Sequence, residues 1–328
     1  MVMEKRKLGT LEVSSIGLGC MGMSQSYGAA ADRDEAQSVK VIHRALELGV
    51  NFFDTAEVYG PYKNEELLGR AFRGHRNEAI IATKFGFDIK EKPPHEVDSS
   101  PKTIRKAVEG SLKRLSIDTI DLLYQHRVDP KIPIEEVVGV MAELIKEGKV
   151  RFLGLSEAGA ATIERAHKEH AITALQSEYS LWERGIEDEI LPMIQKLGIG
   201  LVPFCPVGRG FLTGQIKSYE DIPEGDFRRN DPRYKGENFK KNLQLVQEVE
   251  RIARKYSGTA AQVAIAWTLH QGGHIVPIPG TKRISFLEEN AAASTLKLDK
   301  DDIDHLNTLA QKTSGERYEE SQLSKVRL

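Results

Sequence analysis

Two hydrophobic periods alternate along this chain. Short, apolar, β-branched runs recur at residues 15–20, 51–55, 79–84, 120–126, 150–156, 174–178, 200–205 and 274–279. Runs of that length and composition predict buried strands. Between most of them lie stretches whose apolar positions repeat every three to four residues, as in an amphipathic helix. In 34–48, Val39, Ile42, Ala45 and Leu46 follow this spacing. Ser100 before Pro101 is an N-cap with proline at the first helical position, and opens a helix running to Leu115. Further helices are expected at 134–147, 161–170, 186–197, 239–256 and 284–293.

Crossovers of this length make the sheet parallel. Eight strands close a (β/α)8 TIM barrel, so the fold class is α/β. The competing architecture is an open doubly wound sheet. Gly17, Gly19 and Gly22 match its G-x-G-x-x-G turn by letter. They run, however, into Met23-Ser24-Gln25-Ser26-Tyr27-Gly28, a poor helix start. Residues 5–13, with Gly9-Thr10 at the middle, predict an N-terminal β-hairpin. Residues 299–311 predict an extra C-terminal helix capped by Asp299. The polar tail, 313–328, is expected to fray or to fold over the barrel. The whole of 1–328 thus reads as a single barrel domain.

Charge narrows the function. Lys plus Arg number 46 and Asp plus Glu 48, for a net charge of −2. That balance argues against a nucleic-acid partner. Cys20 and Cys205 are the two cysteines, far apart, and make neither a disulfide framework nor a spaced metal site. The N-terminus shows no apolar secretory stretch and no run is long enough to span a bilayer. A cytoplasmic protein without a membrane partner is expected. His167 and His170 share one helix face, but Lys168 and Glu169 between them mark a solvated helix end, and no metal is expected.

The connection 206–238 is unusually long and begins Pro-Val-Gly-Arg-Gly-Phe-Leu-Thr-Gly. Its glycines let backbone approach a ligand, and Arg209 can meet a phosphate. It reads as a loop covering a cofactor.

In a barrel of this kind, the strand ends carry the chemistry. The second run ends in Asp54 and leads to Tyr59; the third ends in Lys84 and the fourth in His126. A lysine ammonium near the tyrosine lowers the phenol's pKa. The aspartate keeps that lysine charged in a buried place. A neutral histidine can hydrogen-bond a carbonyl. The set suits protonation of an oxygen as a carbonyl becomes an alcohol.

These residues, in Asp54-Thr-Ala-Glu-Val-Tyr59-Gly, Lys84 and Tyr-Gln-His126-Arg-Val-Asp-Pro, resemble the aldo-keto reductases. The resemblance runs from Lys7 to Asn290. It is greatest to the branch of bacterial and plant carbonyl reductases and pyridoxal reductases that carries the His-Arg-Val-Asp-Pro motif. It implies NADPH-dependent, metal-free reduction of a small-molecule carbonyl substrate. Tyr59 is then the general acid, tuned by Lys84 and Asp54, with His126 orienting the carbonyl. Gly19, Cys20 and Met21 contact the cofactor. Ser156 and Gln176 bind its carboxamide and Phe204 stacks on the nicotinamide. Gly208, Arg209 and Gly210 cover the pyrophosphate. The adenosine end falls to Gly280, Thr281, Lys282, Arg283, Glu289 and Asn290, with Lys282 and Arg283 as cations for a 2′-phosphate.

Glu157 departs from the asparagine of many relatives. It can accept from the carboxamide nitrogen but cannot donate to its oxygen. Tyr27 and Trp182, with Phe85 and Phe87 behind them, are candidates for an apolar substrate wall; packing between barrel and helices is the other reading. The alternative function is a nicotinamide-nucleotide-sensing regulatory subunit with little turnover. No N-terminal segment is visible that would act on a partner.

Overall fold

The computed structural model describes residues 3–28, 33–90, 95–323 and 326–328. The chain opens with an antiparallel hairpin, β1 (Lys5–Leu8) and β2 (Leu11–Ser14), turning at Gly9-Thr10. Seven parallel strands follow: β3 (Leu18–Gly19), β4 (Phe52–Asp54) and β5 (Ile80–Phe85), then, after a small hairpin β6 (Phe87–Asp88) and β7 (Glu96–Val97), β8 (Ile120–Gln125), β9 (Val150–Ser156), β10 (Ala174–Glu178) and β11 (Gly200–Phe204). They are ordered β11-β10-β9-β8-β5-β4-β3.

Residues 274–280 form the eighth stave. Pro277 and Pro279 have no N–H to give, so this segment makes isolated bridges in place of a continuous ladder. It still bonds on both sides. Val276 N donates to Leu201 O (2.9 Å), Ile278 N to Pro203 O (3.0 Å) and Gly17 N to Pro277 O (2.9 Å). The sheet is therefore a closed, eight-stranded (β/α)8 barrel.

Around it run α1 (Glu35–Glu47), α2 (Lys63–Ala71), α3 (Pro101–Leu115), α4 (Ile134–Lys146), α5 (Ala160–Glu169), α6 (Ile190–Lys196), α7 (Gly236–Lys255), α8 (Ala260–His270) and α9 (Ile284–Ala292). The added helix α10 (Lys300–Ala310) and a short α11 (Glu320–Leu323) complete the set. The expected caps form: Ser100 Oγ accepts from Thr103 N and Asp299 Oδ1 from Asp302 N.

Two helices escape the period. In α2 the buried face includes Asn64, Glu65 and Gly69, so polar residues occupy core positions. In α8 nearly every residue is buried, leaving no polar face to mark a period. The helix expected at 186–197 begins only at Ile190, because 185–189 is a turn in which Arg184 and Tyr179 both bind Glu187.

Strand alternation sorts the side chains. Phe53, Ile81, Leu123, Leu153 and Leu201 pack outward in the clusters formed with helices. Phe52, Ala82, Leu122, Tyr124, Ala174, Val202, Val276 and Ile278 fill the interior, stoppered by Leu8, Leu11 and Val13 of the hairpin. Large and small residues interlock there: a Cβ on Gly154 would lie 2.4 Å from the Tyr124 ring, and one on Gly200 2.5 Å from Leu8. Two residues beyond Phe52 and Ala82 on that inward face come Asp54 and Lys84; two beyond Ala174 and Val202 come Gln176 and Phe204. Period two alone brings them to one mouth.

The tail folds over this mouth rather than fraying. Gly159 N donates to Leu328 O (2.9 Å) and Arg327 N to Glu157 O (2.6 Å). Among the described residues no helix is long and apolar enough to cross a membrane.

Candidate active site

Lys84 is fully enclosed. Its ammonium donates to Asp54 Oδ1 (2.5 Å), Thr55 O (2.8 Å) and Tyr59 Oη (3.2 Å). Asp54 takes its second bond from Gln176 Nε2 (2.7 Å). The segment 56–62 is a compact turn. Tyr62 N donates to Glu57 O and Asn64 N to Tyr59 O, while Gly60, with a φ of +77°, donates to Gln25 Oε1 (2.8 Å). That turn aims Tyr59 back at the end of β5. His126 meets Tyr59 edge to face, ring centroids 5.7 Å apart, and Phe87 packs on its other side at 5.2 Å. The sequence-derived quartet is thus one cluster.

Burial sets the protonation states. It lowers the Lys84 pKa, but Asp54 and Tyr59 outweigh it and hold the lysine above its ordinary value. Burial raises the Tyr59 pKa, and Lys84 only partly opposes it. The expected net lowering is therefore not found: desolvation exceeds the lysine's pull, and the phenol keeps its proton. Burial, with repulsion by Arg127 and Lys84, drives His126 well below its usual range, so the imidazole is neutral. Its Nδ1 is buried without a partner. A phenol O–H held on an ammonium beside a neutral imidazole can give a proton to an oxygen placed between them.

The nicotinamide dinucleotide implied by the resemblance has a matching donor set. The Gln176 nitrogen is committed to Asp54, which leaves its oxygen to accept from a carboxamide. Ser156 ends β9 and Phe204, half-buried, ends β11. Gly19 faces Gly280 across the barrel seam. Cys20 is buried, its N–H on Asp54 O, its carbonyl accepting from Asn64, and its thiol pushed far up by burial. It holds backbone, while Met21 next to it is half-exposed. Thr281 Oγ1 accepts from Arg283 N, and Lys282 and Arg283 precede the first turn of α9, where a helix dipole favours an anion. Asn290 is buried and Glu289 half-buried in that helix.

Residues Gly208, Arg209 and Gly210 are three successive left-handed residues. Gly208 lies so close to Trp182 that a Cβ would come within 2.7 Å of the indole. Arg209 corrects the expectation of a phosphate-binding cation. Its guanidinium is buried and already holds Asp231 (2.5 Å) and Glu178 (2.9 Å). It ties the covering loop to β10.

Glu157 is a second correction. It accepts from Arg317 (2.5 and 3.0 Å), Ser177 Oγ (3.0 Å) and Glu178 N (2.8 Å), so both of its oxygens are engaged in holding the tail and β10. Trp182 is a third. It is buried, stacked on Phe211 at 5.0 Å and edge-on to Tyr234, so it packs the core instead of lining a pocket. Phe85 is likewise core.

Tyr27 does reach the mouth. Its hydroxyl lies 3.8 Å from Cys205 Sγ, its ring packs on Phe227 and under Arg228, and its carbonyl accepts from Lys282 Nζ (3.1 Å). With Gly28 N on Asp226 Oδ2 (3.1 Å), it joins the loop after β3 to the covering loop.

Sequence reasoning missed Arg317, Glu178 and Glu183, which fasten tail and loop to the barrel. Their signal is slight, because a buried arginine in a polar tail looks like any solvated one. Among the described residues no group of three or more His, Cys, Asp or Glu is placed to hold a metal.

Residues 15–311 match the sequence model of the aldo/keto reductase family. A probable aldo-keto reductase of Glycine max is 46% identical over 300 residues, covering 90% of this chain and 86% of that protein. The glycerol dehydrogenase of Gluconobacter oxydans superposes with a TM-score of 0.87 at 30% identity, covering 98% of this chain and 99% of that one. An aldo-keto reductase of Klebsiella pneumoniae, solved in complex with NADPH, gives 0.73 at 25% identity, covering 97% and 99%. The closed barrel with its tyrosine–lysine–aspartate mouth is thus that of an oxidoreductase. This chain belongs to the aldo/keto reductase family.

Proposed function

We propose that this protein reduces aldehydes or ketones to alcohols with NADPH, using Tyr59 as general acid. The observation that carries this reading is the Asp54–Lys84–Tyr59 chain at 2.5 and 3.2 Å beside a neutral His126. NADPH, when bound, supplies the hydride that reaches the carbonyl carbon. Tyr59 delivers its phenolic proton to the carbonyl oxygen, which completes the alcohol, and Lys84 stabilises the phenolate left behind. Asp54, fixed by Gln176, keeps the ammonium charged and in place. His126 holds the carbonyl oxygen toward Tyr59. Ser156, Gln176 and Phe204 seat the nicotinamide, Gly208 and Gly210 let the covering loop approach the pyrophosphate, and Lys282 and Arg283 meet the 2′-phosphate. The NADPH complex of the Klebsiella pneumoniae relative supports this choice of cofactor.

The test is consumption of NADPH with aromatic and aliphatic aldehydes. Tyr59→Phe should lower kcat by about 10²-fold or more while NADPH binding persists. An unchanged rate in that variant sinks the mechanism.

A further inference from the structure

The carboxamide of a nicotinamide has two chemical ends, an NH2 that needs acceptors and a carbonyl oxygen that needs a donor. Gln176 offers its oxygen as an acceptor, and the Ser156 hydroxyl, whose Oγ already receives Arg127 Nη1 (3.4 Å), can donate one bond to the carbonyl oxygen. The carbonyl oxygen has a second lone pair, and a donor for that one is the gap. Gln176 Nε2 is spent on Asp54, and Glu157, ion-paired with Arg317, is a carboxylate and cannot donate.

Beside Ser156 stands a cation that the mechanism has not used. Arg127 follows His126 directly. Its Nη1 donates to His126 O (2.6 Å) and reaches Ser156 Oγ (3.4 Å). Its Nη2 and Nε bond no described residue. The neighbouring arginines differ. Arg209, Arg233, Arg317 and Arg327 each hold a carboxylate. Among the described residues no carboxylate comes within salt-bridge distance of Arg127. Its charge is nevertheless felt at Tyr59, His126, Glu157 and Tyr318, which locates the guanidinium at the mouth.

We infer that Arg127 donates to the carboxamide oxygen of the nicotinamide, replacing the donor that Glu157 cannot be. This rests on the NADPH reading above. Glu157 and Arg127 then have separate tasks at neighbouring strand ends. Glu157 anchors the tail through Arg317, and Arg127 takes over the cofactor. The planar fork suits the task, since one arm stays on His126 O while the other faces the ligand.

Equilibrium binding to the full-length protein tests this, with NADPH fluorescence as one readout and displacement by 2′-phospho-ADP-ribose, which lacks the nicotinamide, as the other. Arg127→Met should weaken NADPH about tenfold, the loss of one charge-assisted bond, and leave 2′-phospho-ADP-ribose unchanged. Arg127→Gln, which restores a neutral donor and guards against a folding defect, should fall between. An equal loss for both ligands overturns the inference, as does no loss for either. So does a loss confined to the KM of carboxylate-bearing aldehydes, which would make Arg127 a substrate anchor. If the wild type binds no NADPH, the NADPH reading falls and this inference with it. If it binds and Arg127→Met does not matter, only this inference falls.

Discussion

Glu157 and Arg317, 160 positions apart in the chain, meet in a two-pronged ion pair of 2.5 and 3.0 Å with both side chains buried. Glu157 has a φ of +55° at the end of β9, a left-handed conformation uncommon outside glycine. The tail is held to the barrel by this pair, by Arg327 N on Glu157 O and by Arg327 on Glu183.

Removing one partner should therefore cost more than removing both. Burial raises the Glu157 pKa, yet its bonds to Arg317 outweigh that and hold the carboxyl below its ordinary value. Arg317→Ala leaves that charge unpaired and should cost about 3–5 kcal/mol. Arg317→Met with Glu157→Gln should recover most of it. Thermal melts of the two variants beside wild type check this; a double variant that loses as much as Arg317→Ala would contradict it.

Glu57 makes stability depend on pH. Burial, aided by Glu65, pushes its carboxyl up to about 8, against the pull of Arg114, Lys106 and the Gly86 N–H. A carboxyl raised above its unfolded value binds a proton more readily in the folded state. Its stabilising contribution is full below the unfolded pKa and is lost as pH rises toward the folded one. Wild-type melting temperature should fall relative to Glu57→Gln between about pH 5 and pH 8, and the gap should then level off. Parallel melting curves across that range would refute the assignment.

Most of the fold was legible because buried strands and half-buried helices obey different periods. α2 was hidden by Asn64 and Glu65, polar residues on its inner face that bond Thr55 and Thr83. α8 was hidden because it has no outer face. The quartet was legible because each member ends or closely follows a strand. Its electrostatics were not: the direction of the Tyr59 shift depends on enclosure, which no spacing reveals. Arg209 and Glu157 were misread for a related reason. Each was matched to a cofactor by position, and the sequence does not show that Asp231, Glu178 or Arg317 folds back to claim it.

The loop glycines give a paired prediction. Gly208 and Gly210 both have positive φ, so alanine is strained at either, by about 1 kcal/mol. They differ in room. A Cβ at 208 meets the Trp182 ring at 2.7 Å, whereas at 210 the nearest atom, at 3.3 Å, is the end of the Arg228 side chain, which can shift. Gly208→Ala should thus cost at least about 1 kcal/mol more than Gly210→Ala, and should weaken NADPH binding more. Equal losses in melting temperature would show that the indole yields.

Lys282 and Arg283 should separate by their effect on two cofactors. Arg283 is exposed, at the N-cap of α9, its guanidinium over the Phe286 ring. On the proposed reading it contributes to cofactor binding through the 2′-phosphate alone, so Arg283→Ala should raise the KM for NADPH about tenfold and leave NADH unchanged. Lys282 also holds the Tyr27 carbonyl at 3.1 Å and so steadies the loop after β3, which on the proposed reading serves either cofactor. Lys282→Ala should therefore impair NADPH most and NADH measurably. Steady-state kinetics with the two cofactors side by side decide this. If Arg283→Ala weakens NADH as much as NADPH, the 2′-phosphate lies elsewhere.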